Sequence, residues 1–148
     1  MIRVRVQRED FDSGAELAAL EALGGGAVAS FTGLVRGDGG LKAMTLEHYP
    51  AMTEKALAGI AAEAERRWPL AGGTVIHRFG RLEPGARIVL VAIASAHRAA
   101  ALEACAFLID WLKVKAPFWK REEFTDGAAR WVEARREDDA AAAAWERR

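Results

Sequence analysis

One cysteine in 148 residues leaves no internal disulfide and no cysteine-rich metal site. Net charge is absent too, because 21 Lys and Arg are balanced by 21 Asp and Glu. Binders of nucleic acid normally carry a basic excess, so no nucleic-acid partner is expected. No apolar run reaches the roughly 18–20 residues that span a bilayer, so no membrane partner is expected either. The opening MIRVRVQRED has no apolar signal-peptide core, and the cytoplasm is the default compartment. The signatures HExxH, GxSxG and CxxC do not occur. His48, His77 and His97 are scattered, without metal-ligand spacing. Gly24-Gly25-Gly26 is not followed by Lys-Ser or Lys-Thr, so it reads as a helix cap and turn rather than a phosphate loop.

What is present suits a single domain over residues 1–148, with no repeat and no linker. The apolar fraction of 51% is enough for a real core. Residues 2–6 alternate as a half-buried strand near a sheet edge. Ser13 to Glu16 reads as a capping box ahead of a short helix 14–23. Residues 27–35 (AVASFTGLV) read as a strand buried on both faces or nearly so, ending at Arg36 before the flexible loop 37–40. Residues 43–49 form a third strand. Thr53 is the expected cap of a helix running to Trp68. Residues 75–79 and 87–95 are strands, the second central because it is the longest β-branched run. Ser95 is the expected cap of a long helix 96–114, which Pro117 stops. An extended segment from Phe118, a turn at Asp126-Gly127 and a short strand 130–133 follow. The tail 137–148 is helix-prone and loosely held unless Trp145 docks. Strands and helices do not alternate regularly, so the fold class is α+β (mixed α/β) rather than a doubly wound nucleotide fold.

The stretch from Ser95 to Arg121 concentrates cations in a neutral protein. His97 and Arg98 fall on the first turn of the long helix, where N–H groups and the helix dipole favour an anion. Lys113 and Lys115 close the same helix, with Lys120 and Arg121 beyond Pro117. A span of about 16 residues separates His97 from Lys113 by roughly 24 Å. One helix therefore cannot bring them to one small site. Either they serve two sites, or a second copy of the chain brings opposite helix ends together. Lys113 and Lys120 can meet if the chain turns at Pro117. A lysine partly desolvated beside another cation has a lowered pKa and can act as acid, base or nucleophile. Taken alone, each lysine reads as a solvated helix end and Arg36 as a solvated strand end; the cluster is what points to a site. Cys105, between Ala104 and Ala106, reads as core.

The strings SFTGLVR (30–36), LEHYPAMTEK (46–55), IHRFGRLEPG (76–85), SAHRAA (95–100) and LKVKAPFWKRE (112–122) closely resemble the catalytic subunit family of molybdopterin synthase. The resemblance runs in order over about residues 1 to 140. It implies an α/β hammerhead fold with an additional small antiparallel sheet. It implies a sulfurtransferase that turns cyclic pyranopterin monophosphate into molybdopterin by inserting two sulfurs as a dithiolene. The sulfur would come from the thiocarboxylated C-terminal Gly-Gly of a small ubiquitin-like carrier subunit. The implied assembly is a central homodimer with one small subunit at each end, a heterotetramer. No resident cofactor is expected. By position, Lys113 and Lys120 match the family's active-site lysines. Leu34, Val35 and Arg36 match a substrate-contacting segment, and Arg121 and Glu122 continue the binding segment after Lys120. His97 and Arg98 match a pair that binds the anionic end of the substrate across the dimer interface. The competing reading is a non-catalytic phosphate- or nucleotide-binding module built on the same cations. A phosphate-ester hydrolase is less suited, since no general base or metal site stands out.

Overall fold

In the computed structural model, which describes residues 1–133 and 135–148, the opening alternation becomes β1 (Ile2–Gln7). The chain continues through α1 (Ser13–Glu21), β2 (Ala27–Leu34), β3 (Leu41–His48), α2 (Pro50–Arg67), β4 (Gly72–Arg78) and β5 (Gly80–Leu82). It ends with β6 (Arg87–Ser95), α3 (Arg98–Lys115), β7 (Phe118–Phe124), β8 (Ala129–Trp131) and α4 (Arg136–Glu146). A 3-10 turn at Asp38–Gly40 joins β2 to β3. Two four-stranded sheets result, ordered β1-β4-β6-β2 and β5-β3-β7-β8. In the first, β1 and β4 run parallel and the other pairs antiparallel. The second is antiparallel throughout. This is the expected α+β fold: a helix-covered sheet with an additional antiparallel sheet.

The strand β6 explains the core. Alternate residues of a strand face opposite sides. Val89, Val91 and Ile93 meet α2 and α3 in a cluster centred on Phe107. Leu90, Ala92 and Ala94 meet Ile76, Leu20 and Phe11 on the α1 side. A strand covered on both faces needs an unbroken apolar run, and RIVLVAIAS supplies one. The amphipathic β1 takes an edge, as its alternation predicts.

Several local expectations are corrected. The strand 27–35 is not buried on both faces. It is the other edge of the first sheet, with Ser30, Phe31, Thr32 and Leu34 exposed. Apolar composition cannot separate a central strand from an apolar edge strand. The cap of α1 is Asp12, whose carboxylate accepts the Ala15 N–H at 3.1 Å, rather than Ser13. Helix α2 starts earlier than expected, with Pro50 at its first turn after Tyr49. Proline suits that position because its missing N–H has no helical partner there. Thr53 lies one turn inside, fully buried. Ser95 ends β6 and donates its hydroxyl to the Pro69 carbonyl at 2.8 Å, so α3 begins after His97 instead. The third strand runs from Leu41 to His48, the fourth starts at Gly72, and the short β5 was not anticipated.

The glycine run has a packing reason besides the turn. Gly24 has φ of +79°, a left-handed conformation that suits a helix end. A Cβ at Gly26 would lie 2.2 Å from the Ala96 carbonyl oxygen, so only glycine lets the chain pass the start of α3. The tail packs as α4: Trp145 is 8% exposed, and its indole N–H donates to Asp110 Oδ2 at 2.7 Å. Its ring meets Trp68 and Phe107 edge-on.

Candidate active site

The end of α3 and the start of β7 form the site. Lys113 lies in the last turn of α3, where the helix dipole favours a cation. Ala116-Pro117 then turns the chain. Phe118 stacks face to face on His77, with ring centroids 3.7 Å apart and planes 16° apart. This contact pins the first residue of β7 beneath the helix end. Two residues on, Lys120 projects from the same face as Phe118. Lys113 and Lys120 thus meet, although seven positions and a proline separate them.

Both lysines line a two-lobed cleft. One lobe, of about 420 Å³, is walled by β2, Val89, Leu112 and Phe118, with His77 in its lining. The other, of about 650 Å³, extends toward Glu122, Arg130 and Asp138. Leu34, Arg36, Ile88, Lys113 and Lys120 border both lobes. Burial pushes the Lys120 ammonium down to about pKa 8, with the charge of Lys113 adding to the shift. Asp138 and Glu122 oppose it. A lysine in this condition holds its proton loosely near neutral pH.

The other expected site residues distribute unevenly. Leu34 is exposed at the rim, and Arg36 extends into solvent with Asp38 3.8 Å away. Val35 between them is 2% exposed and anchors the strand end, donating its N–H to the Ala86 carbonyl at 2.9 Å. Glu122 shares the face of Lys120 and accepts from Arg130 Nε at 3.3 Å. Arg121 sits on the opposite face of β7, paired in register with Thr45 and Trp131, and donates to Glu123 at 3.0 Å. Within one chain it does not reach the cleft. His97 and Arg98 are exposed at the far end of α3. Fifteen residues of helix, at about 1.5 Å each, put Arg98 roughly 22 Å from Lys113. A single chain does not join these two cationic groups.

Sequence reasoning passed over His77. It is 5% exposed, and burial drives its pKa down to about 3, with Lys113, Lys120 and His48 adding to the effect. Its place two residues after Val75, on the core face of a strand, was the available signal. Cys105 is buried, and burial pushes its thiol up to about pKa 11. It is therefore a core residue, as read. Among the described residues no group of His, Cys, Asp and Glu could hold a metal. Among them, too, no helix is long and apolar enough to cross a membrane.

Fold and cleft together define a class: an α+β domain with a partly buried lysine of lowered pKa in a cation-lined cleft suited to an anionic small molecule. Comparison with known proteins narrows this. Residues 6–115 match the MoaE protein family, and the chain belongs to that family. The chain is 57% identical over 146 residues to the molybdopterin synthase catalytic subunit of Mesorhizobium japonicum, covering 96% of this chain and 92% of that one. It is similar in structure to a molybdopterin biosynthesis MoaE protein from Burkholderia ambifaria, with TM-score 0.84, 53% identity and 99% of each chain covered. It is also similar to a molybdopterin synthase from Staphylococcus aureus, with TM-score 0.78 and 32% identity over 87% of this chain and 96% of that one.

Proposed function

We propose that the chain is the catalytic subunit of a molybdopterin synthase, an enzyme of molybdenum cofactor biosynthesis. It transfers two sulfurs from a thiocarboxylated small carrier subunit to cyclic pyranopterin monophosphate. Family membership at 57% identity over nearly the whole chain supports the activity. The convergence of Lys113 and Lys120 in one cleft supports the site. Nothing in the comparisons favours a non-catalytic phosphate- or nucleotide-binding module.

The chemistry fits the residues. The thiocarboxylate and the cyclic phosphate are both anions, and Arg36, Lys113 and Lys120 are cations in a partly dry cleft, where charge interactions strengthen. For each sulfur, a new bond forms between the thiocarboxylate sulfur and a substrate carbon while a carbon–oxygen bond at that carbon breaks, its oxygen leaving as water or remaining on the phosphate as the cyclic ester opens. Water then takes the acyl carbon, the old C–S bond breaks, and the carrier tail leaves as a carboxylate. The exchange is redox-neutral and needs no protein thiol, in keeping with a buried Cys105. Lys113 stabilises the developing negative charge or traps the acyl or substrate intermediate. Lys120, with a pKa of about 8, moves the proton. Glu122 orients groups in the larger lobe.

A second copy completes the site. The open edge of β2 offers eight residues without a charge or a proline, which natural edges normally carry to prevent pairing. Ala27 lies beside Ser95, just before His97, while Leu34 lies at the cleft. Antiparallel pairing of two β2 strands about a two-fold axis brings the His97-Arg98 end of one copy toward the Arg36-Lys113 end of the other. The carrier subunits at the two ends would then complete a heterotetramer.

The decisive assay supplies cyclic pyranopterin monophosphate and a thiocarboxylated Gly-Gly carrier, and follows the sulfurated product by mass spectrometry. Lys113→Ala is expected to fold normally and form no product. Normal turnover by that variant would refute the site assignment.

A further inference from the structure

We infer that His77 is a substrate-orienting residue: its Nε2 accepts a hydrogen bond from an N–H of the pterin head in the smaller lobe. The inference rests on the functional reading above, but the observations behind it are separate. His77 Nδ1 lies 2.8 Å from the Arg78 carbonyl oxygen. A carbonyl can only accept, so Nδ1 carries the ring proton and Nε2 in the neutral ring is a bare acceptor. Among the described residues no sealed-off side-chain nitrogen or oxygen lacks a partner. Nε2 has no protein partner of its own there, so it opens into the lobe that His77 lines.

The ring is held in place. It is stacked on Phe118 at 3.7 Å and tied at Nδ1, so both its plane and its tautomer are fixed before ligand arrives. It also resists protonation, because it is buried next to two ammonium groups. The charged groups around the lobe, Arg36, Lys113 and Lys120, can only donate while protonated. They suit the phosphate end of the substrate but cannot satisfy N–H groups of its ring system. Apart from Thr32, His77 is the side chain in the lining of that lobe that can. A bound N–H left without an acceptor would be penalised, so this one nitrogen discriminates how the bicyclic head sits.

The test uses ¹⁵N-histidine-labelled full-length protein, in which the three histidines keep assignment simple. Free protein should show His77 protonated at Nδ1 and bare at Nε2. Cyclic pyranopterin monophosphate should move the Nε2 resonance toward the hydrogen-bonded position, whereas inorganic phosphate should not. His77→Phe keeps the stack and removes the acceptor. It should weaken binding of the cyclic pterin on the order of tenfold while leaving phosphate binding unchanged, and His77→Asn should recover part of the loss. An Nε2 resonance unmoved by bound pterin overturns the inference alone, and needs no variant to fold. So does an equal loss of pterin and phosphate binding in His77→Phe, or a Lys120→Met variant that moves free Nε2 as far as substrate does. Wild-type protein that fails to bind the cyclic pterin overturns the functional reading and this inference together.

Discussion

Replacing Lys120 with methionine should make the protein more stable while abolishing turnover. Methionine keeps the length and most of the volume of the lysine stem and removes the ammonium that the cleft disfavours. In the folded chain that ammonium titrates at about 8 rather than 10.5. Each pKa unit is worth about 1.4 kcal/mol, and partial solvent access reduces the total, leaving roughly 2 kcal/mol at pH 7. The pH dependence distinguishes this cause from better packing. Because the folded pKa is depressed, the unfolded chain binds more protons than the folded one between pH 8 and 10.5. Wild-type stability therefore rises with pH across that window. The penalty is full below about pH 8 and gone above about 10.5. Urea denaturation of both proteins at pH 7, 8, 9 and 10.5 should show an advantage for Lys120→Met that shrinks to zero at the top. For a domain of this size the gain at pH 7 corresponds to a melting-temperature rise of roughly 4–8 °C. A variant less stable than wild type at pH 7, or an advantage that does not change with pH, would show that burial does not strain Lys120.

Two further outcomes test the assembly and the tail. Phe31→Glu puts a carboxylate on the open β2 edge, close to its own copy across the proposed two-fold. Light scattering should find this variant folded but monomeric; because Phe31 also lines the cleft, the oligomeric state is the deciding readout, and a dimeric Phe31→Glu would exclude pairing through β2. Trp145→Ala removes a nearly buried ring and its hydrogen bond to Asp110. It should cost about 3 kcal/mol in urea denaturation, and a loss below 1 kcal/mol would mean that α4 contributes little to the folded state.

Much of the fold was legible because its signals are local. RIVLVAIAS reads as a central strand because a strand covered on both faces needs an uninterrupted apolar run. IRVRV reads as an edge because alternation marks one wet face. The break at Pro117 follows from the stereochemistry of proline. The errors also have local causes. Asp12, Ser13, Thr53 and Ser95 all have capping side chains, and composition alone does not say which one stands where a helix begins. In AVASFTGLV the apolar content was right and the environment wrong, since an apolar edge strand has the same composition as a core strand.

The sequence by itself determined which chemistry is available. It lacks a usable thiol and a metal-ligand cluster, and it places lysines on both sides of a proline break, within strings that mark the family. Tertiary structure alone decided which of those groups lie together. Phe118 had to stack on His77 before Lys120 could return beneath the end of α3, and β4 comes from a part of the chain some forty residues earlier. Strand alternation then divided neighbours, turning Lys120 and Glu122 inward and Arg121 outward. Helix length kept His97 and Arg98 away from the cleft. The lowered pKa of Lys120 and the bare Nε2 of His77 arise from burial and from neighbours in space, which no linear pattern encodes.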